Sequence, residues 1–230
     1  MVAESRLRSL KRSLDKRGLT QKYSLEIEKL LSSGYAEKVP IGNTDLSDKV
    51  WYLPHQAVIS DSKPGKLRVV FDCSSRFHGQ SLNDKCHQGP DLNNKLINVL
   101  LRFRQHEVCI MEDIEAMYYQ VRIPPEDRDV LRFIWSDENG NLVHYRMCAH
   151  VFGGVWCASS STYALRRTLV DNEGVSPLVS DTVLRDFYVD DMLKSVQSVD
   201  EALVIMFGTK ELLQLSGFHL TKFFLTIPLS

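Results

Sequence analysis

The hydrophobic positions of the chain follow a helical spacing in some segments and a strand-like spacing in others. Leu7, Leu10 and Leu14 lie on one face of a helix predicted within the first 22 residues. The same criterion predicts further helices over residues 24–34, 91–105, 157–172 and 199–217. Asp91 is the expected N-cap of the helix over 91–105, and Gly208 is a point at which the last helix could be interrupted.

Four other segments are rich in β-branched and aromatic residues and are bounded by Pro, Gly, Asp or Ser, which predicts strands. They cover residues 50–60, 66–74, 108–114 and 130–136. An Asn-Gly pair within 137–142 predicts a hairpin between the last of these strands and the segment LVHYRMCAHVF. This order of strands and helices predicts an α+β domain with a mostly antiparallel sheet.

The composition is that of a globular protein, because 43% of the 230 residues are hydrophobic and 25% are charged. No apolar run approaches the ~20 residues of a membrane span, and no secretory signal opens the chain. We therefore expect an intracellular, cytoplasmic protein without a membrane partner. The five cysteines never follow a C-x-x-C spacing, so neither a disulfide framework nor a zinc site is predicted.

The formal net charge of −1 conceals a basic N-terminal segment. The first 22 residues carry seven lysines and arginines against two acidic residues, Glu4 and Asp15. The predicted helix there is thus amphipathic and basic. A contact with nucleic acid and a merely solvated helical face both explain this pattern.

Acidic residues at two distant points indicate a candidate chemical site. In RDFYVDDMLKS, residues 185–195, Asp190 and Asp191 stand between two strand-like halves at the expected turn. Asp113 ends the apolar strand predicted over 108–114. If that strand lies beside the hairpin, three carboxylates converge on a site suited to Mg²⁺. The alternatives are a surface hairpin with Asp at its tip and a turn before Tyr118 that Asp113 caps.

Ordered motifs give the chain a resemblance to a known family. Tyr-Val-Asp-Asp at 188–191 matches the signature of reverse transcriptases, and it is accompanied by HVFGG at 150–154 and GFHLTK at 217–222. Residues 88–135 look like the polymerase of BEL/Pao-type LTR retrotransposons, and residues 6–40 are similar to the lead-in of that group. The resemblance extends from residue 5 to about residue 223 of the sequence.

The resemblance implies an RNA-directed DNA polymerase, a nucleotidyltransferase that joins a dNTP to a primer 3′-OH with two Mg²⁺ ions, for which Mn²⁺ can substitute. The implied partners are an RNA template, a DNA or tRNA primer and dNTPs within a retroelement particle. The implied fold is the fingers and palm of a right-hand polymerase, the palm being an antiparallel sheet packed on helices, with the thumb absent. Fingers are expected at 1–110 and 125–150, and an incomplete palm at 111–124 and 151–230.

Matching positions imply roles for individual residues. Asp113, Asp190 and Asp191 match the metal-binding catalytic carboxylates, and the backbone carbonyl of Ile114 joins them as a metal ligand. Lys222 resembles the lysine that protonates the departing pyrophosphate.

Further positions match residues that bind the incoming nucleotide. Tyr118 matches the aromatic that leaves no room for a 2′-hydroxyl, although Tyr118 and Tyr119 are equally explained as core aromatics. Lys63 and Arg68 match the residues that hold the triphosphate. Gly153 matches the glycine that lets backbone approach the nucleotide and template.

Two departures from the family pattern keep other functions open. Cys157 and Ala158 stand where related elements have a Ser-Pro pair, and the tail FFLTIPLS, residues 223–230, is off-pattern. The alternative function is therefore a catalytically inactive retroelement-derived fragment that serves as a nucleic-acid or protein binding module. An unrelated metal-dependent phosphotransferase is a third interpretation.

Overall fold

The computed structural model describes residues 2–40, 49–59, 66–172 and 174–226. The chain divides into unit 1, Met1–Gln88 with Arg122–Cys157, and unit 2, Gly89–Val121 with Ala158–Ser230. The strand ladders of the described residues are antiparallel, so the predicted α+β class with antiparallel sheets is confirmed. Residues 89–110, expected with the fingers, lie in unit 2, and the names fingers and palm stay predictions.

The helices and strands have the following bounds. The helices are α1 (Val2–Lys16), α2 (Thr20–Ser32), α3 (Leu82–Lys85), α4 (Leu96–Phe103), α5 (Met117–Gln120), a 3₁₀ helix (Pro125–Leu131), α6 (Cys157–Asp171), α7 (Pro177–Arg185) and α8 (Val199–Leu215). The strands are β1 (Ala36–Lys38), β2 (His55–Ile59), β3 (Leu67–Phe71), β4 (Val108–Ile114), β5 (Arg132–Ser136), β6 (Leu142–Met147), β7 (Phe187–Tyr188), β8 (Asp191–Val196) and β9 (Leu220–Leu225). Each helix among the described residues is too short or too polar to span a bilayer.

Unit 1 contains a three-stranded sheet in the order β1-β6-β5 and the hairpin β2-β3. The predicted hairpin between β5 and β6 is confirmed, and Asp137 Oδ1 accepts the amides of Asn139 and Asn141 at 3.0 and 2.8 Å within it. The strand predicted over 50–60 begins at His55, because the preceding residues form only an isolated bridge, from Tyr52 to Arg132.

The basic N-terminal helix is confirmed as α1, with Leu7 and Leu14 buried. It ends before Gly18, whose φ of +62° belongs to the left-handed region. The second helix starts at Thr20, four residues before the predicted Ser24.

Unit 2 is built on a four-stranded sheet in the order β7-β8-β4-β9. One face of β4 is buried, with Val108, Ile110 and Ile114 packed in a core that α6, α7 and α8 complete. The opposite face of β4 carries Met111 and Asp113. Antiparallel strands commonly divide in this way into a core face and a solvent face.

Two helix predictions in unit 2 need correction. Helix α8 continues through Gly208 without interruption. The missing side chain of this glycine lets α8 pack closely against α7, since a Cβ there would lie 2.6 Å from Val179 Cγ2. Asp91 does not cap α4, which begins at Leu96. The segment before α4 is a loop, and a side-chain amide of this loop anchors it to a distant part of the chain. Asn94 Nδ2 donates to the carbonyls of Leu184 and Phe187 at 3.1 and 2.9 Å.

Strand β9 was not predicted from the sequence. Part of the off-pattern tail, Phe223 to Leu225, continues this strand beside β4. Thr226 extends the contact, since its backbone amide donates to Cys109 O at 2.9 Å and its hydroxyl accepts from Cys109 N at 2.8 Å. The first residues of the tail thus belong to the sheet of unit 2.

The core of unit 1 contains a buried, neutral histidine. His55 Nε2 donates to Ile134 O at 3.0 Å, so in the neutral ring Nδ1 accepts from the Tyr23 hydroxyl at 2.6 Å. Phe71, Phe133 and Trp135 surround the ring. Burial lowers the pKa of His55 to about 4, while the hydrogen bond to Ile134 acts in the opposite direction.

Acid should therefore destabilise the protein through His55. The unfolded histidine takes up a proton near pH 6.5, whereas the folded one resists protonation until about pH 4, so stability is lost as pH falls through this window. The loss due to His55 should be about 2 kcal/mol at pH 5 relative to pH 7, measured by urea unfolding. His150, whose pKa burial also lowers to about 4, adds to it. A His55→Phe variant should lose the His55 part of the pH dependence, and an unchanged slope would contradict the assignment.

Candidate active site

The pairing of β4 with β8 brings two of the predicted carboxylates together. Asp113 lies directly opposite Asp191, and the amide of Ile114 donates to the carbonyl of Asp190 at 2.8 Å. Directly opposed residues of antiparallel strands have Cβ atoms about 5 Å apart and extend from the same face of the sheet. Asp113 and Asp191 therefore share a face, with Asp190 next to them in the turn.

The turn between β7 and β8 contains two residues, Val189 and Asp190. Val189 has a φ of +57°, as the first central residue of a type II′ turn requires. A β-branched residue in this region costs on the order of 1–3 kcal/mol, and such strain is often found at functional sites. Asp191, expected at the tip of the hairpin, is instead the first residue of β8.

Lys222 reaches Asp113 through an irregularity in β9. The register of β9 on β4 shifts between Met111 and Asp113, and Lys222 has a φ of +57° within the shifted segment. Bulges of this kind change the direction of a side chain next to a site. Lys222 Nζ lies 2.7 Å from Asp113 Oδ2, and Thr221 Oγ1 donates to Asp113 O at 3.2 Å.

The electrostatics agree with a cluster of acids. Burial raises the pKa of Asp191, and the charges of Asp190 and Asp113 raise it further, while the Lys222 ammonium opposes the shift. Among the described residues, no three or more His, Cys, Asp or Glu side chains are grouped so that they could hold a metal ion. The backbones of the three aspartates are nevertheless adjacent, through the pairing of Asp113 with Asp191 and the hydrogen bond from Ile114 to Asp190.

The residue before Asp113 is also acidic and lies on the other face of β4. Glu112 is buried, and both carboxyl oxygens have no hydrogen-bond partner within the described part of the chain. Burial raises the pKa of Glu112 to about 8, against the opposing charge of Lys210. Glu112 is therefore mostly protonated at pH 7 and supplies no charge to the site.

The segment after β4 carries the predicted sugar-contacting residue. Ala116, with a φ of +49°, precedes the short helix α5, on which Tyr118 is half-buried. Gln120 of the same helix donates its side-chain amide to Glu115 O, which supports the turn. Ile114 is buried beside this turn.

The other predicted nucleotide-binding residues belong to unit 1. Gly153 has a φ of +109°, and a Cβ there would lie 3.0 Å from Phe71 O, so glycine is required. Arg68 is exposed on β3, and Lys63 lies outside the described residues.

An asparagine that the sequence analysis missed holds the Gly153 loop. Asn83 Nδ2 donates to Gly153 O at 3.0 Å, and Asn83 Oδ1 accepts from Val155 N at 3.1 Å. Helix α6 begins at Cys157, where the resemblance predicted a Ser-Pro pair, and Cys157 Sγ donates to Val151 O at 2.9 Å. The helix thus starts at this point without that pair.

A buried ion-pair network that the sequence analysis also missed lies next to the hairpin. The carboxylate of Asp186 is inaccessible to solvent and accepts from Arg102 Nε at 2.8 Å and from Lys194 Nζ at 2.7 Å. Asp186 precedes β7 and Lys194 lies in β8, so the network joins both sides of the hairpin to α4. The opposite charges of Asp186 and Lys194, on either side of the turn, could have indicated their pairing from the sequence. Arg102 could not have been identified in this way, because it lies 84 residues from Asp186 in the sequence.

Comparison with known proteins identifies the fold. No protein-family model matches the chain, and no curated protein matches it. A foamy viral protease-reverse transcriptase dRH in complex with double-stranded DNA is similar, with a TM-score of 0.62 and 18% identity over 84% of this chain and 28% of that chain. The foamy viral protease-reverse transcriptase in complex with an RNA/DNA hybrid has a TM-score of 0.60 and 17% identity over 85% and 22% of the two chains.

Native Prototype Foamy Virus protease-reverse transcriptase is also similar, with a TM-score of 0.58 and 16% identity over 84% of this chain and 22% of that chain. The chain therefore has a retroviral-type reverse transcriptase fold. It spans between about a fifth and somewhat more than a quarter of the length of these solved chains.

Loss of the Asp186 charge should destabilise the protein more than loss of a neighbouring exposed charge. An Asp186→Asn variant leaves Arg102 and Lys194, whose side chains are 21% and 16% exposed, without their buried partner. The expected loss of unfolding free energy is about 3 kcal/mol, measured by urea denaturation. Asp181→Asn is the matched control, because Asp181 pairs with the same lysine at 3.4 Å but is 40% exposed. It should cost less than about 1 kcal/mol, and equal losses would contradict the role of burial.

Proposed function

We propose that the chain is an RNA-directed DNA polymerase domain that transfers a nucleotidyl group from a dNTP to a primer 3′-OH. The observation that carries this proposal is the direct pairing of Asp113 with Asp191, beside Asp190, within a reverse transcriptase fold. The partners proposed are an RNA template, a DNA or tRNA primer and dNTPs. The similar foamy viral structures that contain double-stranded DNA or an RNA/DNA hybrid support nucleic-acid partners.

The chemistry of the donors suits a hard divalent cation. Three carboxylates and the carbonyl of Ile114 are oxygen ligands, which Mg²⁺ and Mn²⁺ prefer. Asp113, Asp190, Asp191 and Ile114 would hold the ions. When bound at such a site, a pair of divalent ions supplies activation of the attacking hydroxyl and charge compensation in the in-line transfer.

Lys222 is proposed to act as the proton donor for the leaving pyrophosphate. Its ammonium contacts Asp113 at 2.7 Å, yet its side chain is 63% exposed and can reach a phosphate that binds beside the carboxylates. Tyr118 is proposed to contact the sugar, and Lys63 and Arg68 the triphosphate. Gly153 is proposed to let the backbone approach the nucleotide and template. Assignment to the BEL/Pao type of retrotransposon belongs to the same proposal and rests on the motifs of the sequence.

Loss of one carboxylate should abolish nucleotide addition. Asp190→Asn keeps the size of the side chain but removes a charge needed to hold the cations, so incorporation should fall at least about a hundredfold. The assay is extension of a labelled primer on an RNA template with dNTPs and Mg²⁺ or Mn²⁺. Asp171→Asn is the control, because it removes an exposed charge paired with Arg167 on α6.

The outcome separates the polymerase from the binding-module alternative. Incorporation by the wild type and by Asp171→Asn, but not by Asp190→Asn, supports the polymerase. Absence of incorporation in all three proteins, with nucleic-acid binding retained, would favour an inactive retroelement-derived fragment.

Tyr118 should control the choice of sugar. A Tyr118→Ala variant removes the ring proposed to exclude the 2′-hydroxyl, so addition of rNTPs relative to dNTPs should rise at least about tenfold. The measurement is single-nucleotide extension with each class of nucleotide. Tyr119→Ala is the matched control on the same helix α5. An equal effect of both variants, or an unchanged ratio in Tyr118→Ala, would show that Tyr118 is a core aromatic.

A further inference from the structure

The two edges of the sheet in unit 2 differ in how they are covered. Strand β7 forms one edge, and Asn94 Nδ2 donates to Phe187 O of this strand at 2.9 Å, so that a side chain occupies a backbone acceptor there. Strand β9 forms the other edge, and no further strand among the described residues pairs with it. An uncovered edge presents N–H and C=O groups to which another strand can bind.

The hydrogen bonds of β9 fix which of its backbone groups face outward. Thr226 N donates to Cys109 O of β4 at 2.9 Å. Because backbone groups alternate in direction along a strand, Phe224 also directs its N–H and C=O towards β4. Phe223 and Leu225 therefore direct theirs to the free edge, where the described part of the chain provides no neighbouring strand.

Strand β9 exposes aromatic side chains on both faces of the sheet. Phe224 is 55% exposed and lies beside Met111, to which it is paired. Phe223 is 42% exposed on the opposite face, where Lys210 Nζ of α8 lies 5.2 Å from the centre of its ring. The exposed Phe207 is one helical turn before Lys210 and lies on the same flank of α8. Apolar surface thus continues from the edge strand onto the adjacent helix.

The edge strand carries little free charge. Lys222 is the only charged residue of Leu220–Leu225, and its ammonium is paired with Asp113 at 2.7 Å. The strand also contains no proline, and its residues are mostly apolar or β-branched. Segments of this length and composition pair readily with copies of themselves.

We propose that β9 is a self-association surface at which two copies of the chain pair their β9 strands antiparallel, about a two-fold axis normal to the sheet. Such an axis keeps each face of the sheet continuous, so residues of the same face oppose one another. Phe224 then opposes Phe224 of the second copy, and Phe223 opposes Leu225 of the second copy. Each Phe223–Leu225 pair exchanges both of its backbone hydrogen bonds, because these are the residues whose groups face outward.

Two features of β9 favour a second copy over another strand as the occupant. The outward-facing residues Phe223 and Leu225 are placed symmetrically about Phe224, so the strand matches itself under a two-fold rotation. Like charges do not oppose each other in this register, since Lys222 faces Thr226 of the second copy and keeps its own carboxylate partner.

The expected dimer is weak. Six residues of strand extend over only about 20 Å, which is short for an interface between stable subunits. The dissociation constant should therefore be on the order of 10 µM or above. The association is independent of the proposed polymerase activity, because the residues that pair are not among those assigned to the cations or the nucleotide.

The first test measures the mass of the 230-residue chain by sedimentation velocity between about 2 and 200 µM. The wild type should shift from monomer to dimer over this range. Phe224→Lys places two ammonium groups opposite each other at the axis and should raise the dissociation constant at least about tenfold. Val170→Lys is the matched control, because it places the same charge at an exposed apolar position of α6. Urea unfolding of each variant verifies that it is folded.

A second test reads the register of the pair. Directly opposed residues have Cβ atoms about 5 Å apart, so Phe224→Cys should form a disulfide between two copies in the presence of oxidised glutathione. Phe223→Cys is the matched control, because the two copies of residue 223 are diagonal rather than opposed in this register and their Cα atoms are too far apart to be bridged. Covalent dimer is measured on non-reducing gels, with the wild type treated in parallel to account for its own cysteines.

The outcomes either support or overturn the proposal. Concentration-dependent dimer that Phe224→Lys weakens and Val170→Lys does not, with covalent dimer from Phe224→Cys alone, supports it. A wild type that stays monomeric at about 200 µM overturns it, as does an equal effect of the two lysine variants. Assemblies that grow beyond the dimer overturn the two-fold arrangement, because a two-fold interface closes at two copies. Equal covalent dimer from both cysteine variants overturns the register.

Discussion

The antiparallel pairing of β4 with β8 is the constraint on which the candidate active site depends. It places Asp113 opposite Asp191 and joins Ile114 to Asp190 through a backbone hydrogen bond of 2.8 Å. Side chains alternate between the faces of a strand, so a slip of one residue would move Asp113 to the core face. Glu112 would then take its place, because it is the neighbouring acid and now lies buried under the sheet.

The protein maintains this register at an energetic cost. Glu112 is held in the core with a pKa of about 8, and Val189 adopts a left-handed conformation that is unfavourable for a β-branched residue. Asp186 carries a fully buried charge, which is tolerated because Arg102 and Lys194 both bind it. These features surround the same hairpin, which agrees with the tendency of strained and desolvated groups to collect at functional sites.

Much of the fold could be predicted from the sequence, and the errors have specific physical causes. The leucine spacing of α1 and the apolar, β-branched residues of β4 are local signals, so both elements were predicted correctly. Asp91 failed as a cap because Asn94 binds carbonyls some 90 residues away and holds the segment as a loop. Gly208 was interpreted as a break, although it provides the space that α8 needs against Val179. Contacts of this kind have no signature in a local pattern.

The residues of the candidate site likewise fall into those that a local sequence pattern identifies and those that depend on distant contacts. The acids at 113, 190 and 191 could be selected from the sequence, because a charge at the end of an apolar strand and a pair of charges in a tight turn need a local reason. Lys222 was selected by resemblance, and the bulge in β9 that brings its ammonium to Asp113 could not be foreseen. Arg102 and Asn83 were missed because their partners are 84 and 70 residues away.

The sequence by itself determined most of the longer helices and strands and which of them carry carboxylates, because periodicity and turn chemistry act over a few residues. Only the tertiary structure decided that Asp113 rather than Glu112 faces Asp191, and that β9 lies at the free edge of a sheet. Both depend on register and packing between segments far apart in the chain. The free energy of those contacts comes from burial and hydrogen bonding across the fold rather than from neighbouring residues.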